Sequence, residues 1–212
     1  MGFQLIAVEG PIGVGKTTVV DRLAERLDAD KVMEEWSTNP FLRPFYDSRA
    51  GAAFQTELFF LLSRHRQLQE LQQRSLFGKV TLVDYVFEKS RLFAYLNLDD
   101  SELLIFDKLF ALLSENVPRP DLVIFLQAPT EVLVKRVRAR GRAEEGNLSE
   151  EYLAEVNRAY NHYFFHYSAT PLLVVNTADV DFANCSEDVD ELLKQVRSMG
   201  KGTQYYVPRS HT

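Results

Sequence analysis

The sequence predicts an α/β fold, a doubly wound sheet of five parallel strands that forms one domain over residues 1–212. Two patterns predict it. Short apolar runs alternate along the chain with longer segments of helical period. Three of the short runs are nearly all apolar, as are strands that helices cover on both faces. With 212 residues, of which 46% are hydrophobic, the chain is long enough for one sizeable core.

Each strand is predicted from an apolar run, and each helix from a segment in which apolar residues recur at helical spacing. The predicted strands are residues 4–8, 31–33, 80–83, 122–126 and 172–175. The predicted helices are residues 17–27, 52–74, 101–114, 130–138, 149–166 and 186–199. Ser149 is expected to cap the fifth of these helices, because its hydroxyl can accept from a backbone N–H of the first turn. The tail over 200–212 has no clear period.

Composition disfavours several classes of protein. No apolar run approaches the roughly 18 residues of a membrane span, and no basic start leads into an apolar stretch as in a signal peptide. The single cysteine, Cys185, cannot form an internal disulfide, so we expect a cytoplasmic protein without a membrane partner. A net charge of −6 disfavours a polynucleotide partner. The four histidines have no metal-ligand spacing.

A glycine-rich loop joins the first predicted strand to the first predicted helix. The pattern GxxxxGK[ST] is formed by Gly10, Pro11, Ile12, Gly13, Val14, Gly15, Lys16 and Thr17, and Thr18 follows it. In such a loop the backbone N–H groups surround phosphate oxygens at a helix N-terminus. Lys16 is expected to reach the β and γ phosphates of ATP, and the Thr17 hydroxyl to bind Mg²⁺. The alternative is a glycine-rich turn with an incidental lysine.

Two further segments are candidates for binding the phosphates and their metal ion. Asp84 ends the third predicted strand, where a carboxylate can hold Mg²⁺ through water; a solvated strand-end acid is the alternative. Residues 135–142 carry five cations, and Arg136 and Arg140 share one helix face at i,i+4. We predict an arginine-rich lid over about 136–148 that closes on the transferring phosphoryl group. A solvated basic face and an RNA-binding patch are the alternatives.

The chain resembles the deoxynucleoside kinase family, and in particular its bacterial branch. Four blocks carry the resemblance, in the family's order: residues 6–18, 54–56, 84–94 and 136–145. They resemble the family's phosphate loop, its base-reading helix, the bacterial form of its central motif and its lid. The resemblance implies a P-loop kinase that uses Mg²⁺ and ATP to phosphorylate the 5′-hydroxyl of a deoxyribonucleoside for salvage. It also implies a homodimer, through the apolar helix around residues 59–62.

The resemblance assigns roles to single residues. Glu34 falls where the family has the carboxylate that accepts the 5′-hydroxyl proton, and Glu35 is its neighbour. The implied catalytic set is Glu34, Lys16, Arg136 and Asp84, with Thr17 and Asp84 on the metal and Arg140 and Arg142 on the ATP phosphates. The implied nucleoside-binding set is Glu34, Tyr46, Gln55, Phe87, Arg91 and Glu145. In that set the Gln55 amide reads the base, while Tyr46 and Glu145 hold the sugar 3′-hydroxyl.

The preferred base is left open by the sequence. The Gln55 amide suits deoxyadenosine, which we favour, and also deoxycytidine or, reversed, deoxyguanosine. Animal members carry Glu-Arg-Ser where this chain has Asp84-Tyr85-Val86, so Lys89 or Arg91 must supply the missing charge. A thymidylate kinase, which would want an arginine just after Asp84, and a P-loop nucleotide sensor are the rival functions.

Overall fold

In the computed structural model, which describes residues 2–74, 79–142 and 145–208, six parallel strands form one sheet. The strands are β1 (Leu5–Glu9), β2 (Asp30–Val32), β3 (Thr81–Val83), β4 (Leu122–Gln127), β5 (Leu172–Asn176) and β6 (Thr203–Tyr206). The helices are α1 (Lys16–Leu27), α2 (Leu42–Tyr46), α3 (Ala52–Arg74), α4 (Lys89–Asn97), α5 (Asp100–Ser114), α6 (Thr130–Arg140), α7 (Glu150–Phe165) and α8 (Ser186–Ser198).

The two faces of the sheet bury separate apolar clusters, as a doubly wound fold requires. From β1, Ile6 and Val8 pack among the side chains of α1 and α8. Leu5 and Ala7, which alternate with them, pack among side chains of α3, α4, α5 and α7. Because β1 is covered on both faces, all five of its residues are buried, which explains its continuous apolar run.

The strand order β2-β3-β1-β4-β5-β6 positions the site. β1 lies between β3 and β4 and is parallel to both, so the chain winds outward from β1 in two directions. At such a switch point the connections leave a crevice at the carboxyl ends of the strands. The glycine-rich loop follows β1 and Asp84 follows β3, so both lie at this crevice.

The predicted fold class is confirmed, and the predicted count of five strands is wrong. The sixth strand, β6, pairs in parallel with β5, with Thr203 opposite Leu172. It is an edge strand whose residues are exposed or half-buried, so it carries no apolar run to predict it. Helix α4 was also missed, because Lys89 and Ser90 are among its buried residues and interrupt the apolar pattern. Ser149 caps α7 as predicted, accepting from the N–H of Tyr152 at 3.1 Å.

Within the described ranges, no helix has both the length and the apolar character that crossing a membrane requires.

Candidate active site

A cavity of about 720 Å³ opens at the carboxyl edge of the sheet. Its lining includes most of the predicted site: Ile12, Gly13, Val14, Gly15, Lys16, Thr17, Thr18, Glu34, Tyr46, Asp84, Arg136, Arg140, Arg142 and Glu145. Lys89, which the sequence left as an alternative to Arg91, also lines it. The remaining lining residues are Trp36, Leu42, Phe45, Thr56, Glu57, Phe60, Arg64, Phe93, Tyr152, Thr177, Val180, Asp181, Phe182 and Ala183.

The glycine-rich loop lies tightly against α6. Gly13 has a φ of 85°, and a Cβ there would lie 2.8 Å from Val137 Cγ2 and 2.9 Å from the Leu133 carbonyl oxygen. Only glycine fits both the backbone angle and the space. The Lys16 ammonium donates to the carbonyls of Gly10 at 2.6 Å and Pro11 at 3.2 Å, inside the loop. Burial and the nearby charge of Lys89 lower the pKa of Lys16 to about 8.

A fully buried carboxylate, Glu9, fixes the start of the loop. Its Oε1 accepts from the Gly10 N–H at 2.8 Å and from the Tyr160 hydroxyl at 3.1 Å. Its Oε2 accepts from the Val86 N–H at 3.0 Å. Glu9 therefore ties the phosphate loop to α7 and to the segment after β3. An acid at the end of an otherwise apolar strand is the sequence signal that could have identified it.

Two cations hold Glu34 in the lining of the cavity. Arg64 donates to Oε1 from Nε at 2.8 Å and from Nη2 at 2.5 Å, and Lys89 donates to Oε2 at 2.7 Å. Burial by itself would raise the pKa of Glu34, but the charges of Lys89 and Arg64 outweigh it and lower the pKa to about 2. Glu34 is therefore a fixed anion beside the phosphate loop.

Asp84 contacts the same segment from β3. Its Oδ1 accepts from the backbone N–H of Glu34 at 2.6 Å. Burial and the charge of Glu34 raise the pKa of Asp84 to about 6. A nearby divalent cation would counteract both effects, so this carboxyl suits a metal beside the phosphates.

The arginines of the predicted lid divide between two places. Arg136 donates to the Val14 carbonyl at 3.3 Å and the Thr177 carbonyl at 2.6 Å, beside the phosphate loop. Arg140 donates to Glu145 at 2.6 Å, and Arg142 is 3.5 Å from Glu145 with its Cζ 4.0 Å from the centre of the Trp36 ring. Within the predicted lid, residues 143 and 144 lie outside the described residues.

At another wall of the cavity, Glu57 is 2% exposed. Its Oε1 accepts from the Asn97 amide at 2.8 Å. Its Oε2 is buried and has no hydrogen-bond partner within the described part of the chain. Burial raises the pKa of Glu57 to about 7. The aromatic side chains of Tyr46 and Tyr152 are close enough for its charge to affect their pKa values.

A model of the deoxynucleoside kinase family matches residues 6–200 of this chain. The chain belongs to that family. The deoxyguanosine kinase of Bacillus subtilis (strain 168) is 32% identical over 199 residues, which cover 92% of this chain and 96% of that kinase. The deoxyadenosine/deoxycytidine kinase of the same organism is 28% identical over 203 residues, covering 92% and 93%. The matched relatives therefore differ in the base they are named for.

Solved structures support the same fold. The deoxyadenosine kinase from M. mycoides with bound dCTP superposes with a TM-score of 0.77 at 22% identity, covering 92% of this chain and 99% of that one. The expected P-loop kinase fold is thus confirmed, and the family match and the curated relatives confirm the expected kinase activity.

The structure does not bring every predicted nucleoside contact to the cavity of this deoxynucleoside kinase. Gln55 is exposed, because the helical period puts it on the side of α3 opposite Glu57. Phe87 is buried elsewhere, stacked on Phe110 at 5.1 Å between ring centres. Arg91 is half-exposed and pairs with Asp107 at 3.1 Å. The proposed nucleoside-binding site therefore does not include these three side chains.

Three residues that the sequence left out or undecided line the cavity of the deoxynucleoside kinase. Lys89, on α4, supplies the cation beside Glu34 that Arg91 does not. Glu57 and Arg64 lie seven residues apart, two turns of α3, and so share one face. Both continue the helical series of Leu61, Leu68 and Leu71, which are buried, so two charged residues on the apolar face of α3 are the signal that could have identified them.

Proposed function

We propose that this deoxynucleoside kinase transfers the γ-phosphoryl group of ATP to the 5′-hydroxyl of a deoxyribonucleoside, giving the 5′-monophosphate and ADP. One observation carries the proposal: Glu34, held by Arg64 and Lys89, lines the same cavity as Lys16 of the phosphate loop. A group that accepts the nucleoside hydroxyl therefore lies beside the group that holds the phosphates. A protein that only senses a nucleotide needs no group that accepts from a second substrate's hydroxyl.

In the proposed reaction the 5′-hydroxyl gives its proton to Glu34 as its oxygen bonds to the γ-phosphorus. The bond between that phosphorus and the β–γ bridging oxygen breaks, and its electron pair leaves with ADP. A carboxylate with a pKa of about 2 is a weak base. In the loose transition state of phosphoryl transfer the proton leaves late, so Glu34 contributes chiefly by orienting the hydroxyl. Lys16 and Arg136 supply positive charge on the donor side, with Arg140 and Arg142 on the lid.

Thr17 and Asp84 fit a magnesium ion bound together with ATP. Mg²⁺ takes one or two protein oxygens and completes its shell with phosphate oxygens and water. Thr17 and Asp84 line the cavity beside Lys16, and the raised pKa of the buried Asp84 carboxyl, about 6, is what a neighbouring cation would lower. When bound, the ion would neutralise charge on the β and γ phosphates.

At the nucleoside end, Tyr46 and Glu145 are proposed to hold the sugar 3′-hydroxyl. Both line the cavity. Burial raises the pKa of Tyr46 most, and the charge of Glu145 raises it further, so the two groups are neighbours. An acceptor and a donor side by side suit one hydroxyl, which needs both.

We also propose a homodimer in the cytoplasm. Leu62 on α3 and Leu104, Ile105 and Leu112 on α5 are apolar and at least half exposed, at 50%, 62%, 53% and 66%. Because α3 and α5 are neighbours, these side chains form a surface that a second copy could cover. Sedimentation of the wild-type chain and of Leu112→Glu tests this: the dimer should dissociate in the variant.

The first test is ADP release from Mg²⁺ and ATP with each of the four deoxynucleosides and with dTMP in separate reactions. Turnover with one or more nucleosides, lost in Lys16→Met, supports the proposal. Turnover with dTMP alone would move the function to a thymidylate kinase. If the protein bound ATP but released no ADP with any of these acceptors, the proposal would be contradicted.

A further inference from the structure

We propose that Glu57 reads the nucleobase in this cavity and selects guanine. This inference rests on the proposed function, since it assigns the base-reading group of the same site. The sequence suggested the Gln55 amide for this role; the role is assigned here to a carboxylate two residues further along α3.

The position of Glu57 fits the base end of a bound nucleoside. Burial has the largest effect on the pKa of Lys16, and the charges that also affect it are those of Lys89, Glu9, Glu34 and Asp84. Burial also has the largest effect on the pKa of Glu57, and the charges that affect it are those of Arg64, Glu34 and Lys89. Both groups therefore lie near Glu34 and Lys89, and Tyr46, whose pKa the charge of Glu57 also affects, lines the same cavity. A nucleoside with its 5′-hydroxyl at Glu34 and its sugar between Tyr46 and Glu145 therefore extends its base toward Glu57.

The carboxylate is fixed but has unused acceptor capacity. Asn97 donates to Oε1 at 2.8 Å and thereby holds the side chain in one orientation. Oε2 has no partner within the described ranges, and each carboxylate oxygen can accept two hydrogen bonds. Arg64 does not pair with it, because its three donor nitrogens contact Glu34 and Ser90. A ligand that brings donors would therefore offset the cost of burying this group.

Guanine supplies the donors that a carboxylate needs. Its pairing edge carries two neighbouring donors, the ring N1–H and the exocyclic amino group. Adenine and cytosine each present one donor beside a ring nitrogen that only accepts, and that lone pair would face the carboxylate. Thymine presents one N–H between two carbonyls. Guanine also has a carbonyl next to N1, and the positive charge of Arg64, on the same face of α3, favours it.

The size of the preference follows from this pairing. One well-placed bidentate contact discriminates against the wrong base by roughly 10- to 100-fold. Glu57→Gln replaces the two acceptor oxygens by one acceptor and one donor amide, which matches adenine better than guanine. The variant should therefore bind deoxyadenosine in preference to deoxyguanosine.

The test compares binding and turnover in the same protein. Thermal shifts and calorimetry at about pH 8.5, where an acid of pKa about 7 is ionised, are measured with deoxyguanosine, deoxyinosine and deoxyadenosine. We expect deoxyguanosine to bind most tightly. Deoxyinosine, which lacks the amino group, should bind about 10-fold more weakly, and deoxyadenosine weakest. In Glu57→Gln the order of deoxyguanosine and deoxyadenosine should reverse.

The controls separate this inference from the proposed function. Glu70→Gln makes the same change at an exposed position of α3 and should leave the order of ligands unaltered. Because the ratio of two ligands is measured in one variant, partial unfolding of Glu57→Gln does not mimic the effect. The inference would be overturned if the ratio of the affinities for deoxyguanosine and deoxyadenosine stayed the same in Glu57→Gln, or if it changed in Gln55→Ala and not in Glu57→Gln. Nucleoside turnover would still support the kinase in either case. Discrimination in binding without any ADP release would support Glu57 as the reader and contradict the proposed reaction.

Discussion

Arg64 donates two hydrogen bonds to a single oxygen of Glu34, from Nε at 2.8 Å and from Nη2 at 2.5 Å. The side chains of this pair are only 3% and 14% exposed. A buried ion pair is maintained only while both charges are present, since removal of one leaves the other uncompensated at a cost of about 3–5 kcal/mol. Glu34 therefore serves two purposes: it faces the proposed acceptor hydroxyl, and it allows Arg64 to be buried in the wall of the cavity.

Glu34→Gln should lower kcat by on the order of 10²-fold or more, because the neutral amide cannot take the proton of the 5′-hydroxyl and no longer balances the charges of Arg64 and Lys89 that hold the side chain in place. The matched control is Glu35→Gln. Glu35 is the next residue, but it pairs with Arg66 at 2.6 Å outside the cavity, so kcat should change little. Both variants are compared by ADP release per folded molecule, with folding checked by circular dichroism. Near wild-type turnover in Glu34→Gln would remove its proposed role.

Lys89→Met should lower kcat/KM for the nucleoside by about 10-fold or more, since Lys89 donates to Glu34 Oε2 at 2.7 Å and is itself 6% exposed. Arg91→Met removes a cation two residues away that is 51% exposed and paired with Asp107. A change within about twofold is expected there, as for most surface substitutions. Steady-state kinetics with one nucleoside decide between them. A larger loss in Arg91→Met than in Lys89→Met would contradict the geometry.

Gly13→Ala should raise the KM for ATP by about 10-fold or more. Its Cβ would lie 2.8 Å from Val137 and 2.9 Å from the Leu133 carbonyl, so the phosphate loop or α6 must shift. Gly51→Ala is the matched control, because its φ of 74° gives similar backbone strain with no atom within 4 Å. It should reduce stability without affecting the KM for ATP. Titration of ATP at saturating nucleoside measures the difference, and equal effects would show that only backbone strain matters.

The phosphate loop could be predicted from the sequence, whereas the proposed base end could not. β1, the glycine-rich loop and the start of α1 are contiguous, so one local pattern specifies Lys16 and Thr17 together. The residues of the proposed base end come from separate elements: Tyr46 from α2, Glu57 from α3 and Asn97 from α4. Which face of α3 points into the cavity depends on tertiary packing, and an error of two residues exchanges an exposed amide for a buried carboxylate.

The unusual environment of Glu57 predicts a measurable pH dependence of stability. Its pKa rises from 4.5 to about 7 because burial disfavours the charged form. Between these values the folded chain retains a proton that the unfolded chain loses. The stabilising contribution is therefore complete below about pH 4.5 and is lost as the pH rises through 7, by on the order of 3 kcal/mol. The Asn97 amide donates a hydrogen bond to it. The charged or titratable groups that interact with its charge are Arg64, Glu34, Lys89, Tyr46 and Tyr152.

Glu57→Gln stays neutral at every pH, so its free energy of unfolding should fall less steeply than that of the wild type between about pH 5 and pH 8.5. Asp84, whose pKa is raised to about 6, titrates in the same window, but it does so in both proteins and cancels in the difference. Glu34 titrates below this window, because its pKa is lowered to about 2. Urea denaturation at several pH values measures the two curves, and Glu70→Gln, at an exposed site of the same helix, should run parallel to the wild type. If the Glu57→Gln curve also ran parallel to the wild type, Glu57 would be ionised at neutral pH without penalty, and its buried oxygen would already be stabilised within the folded chain.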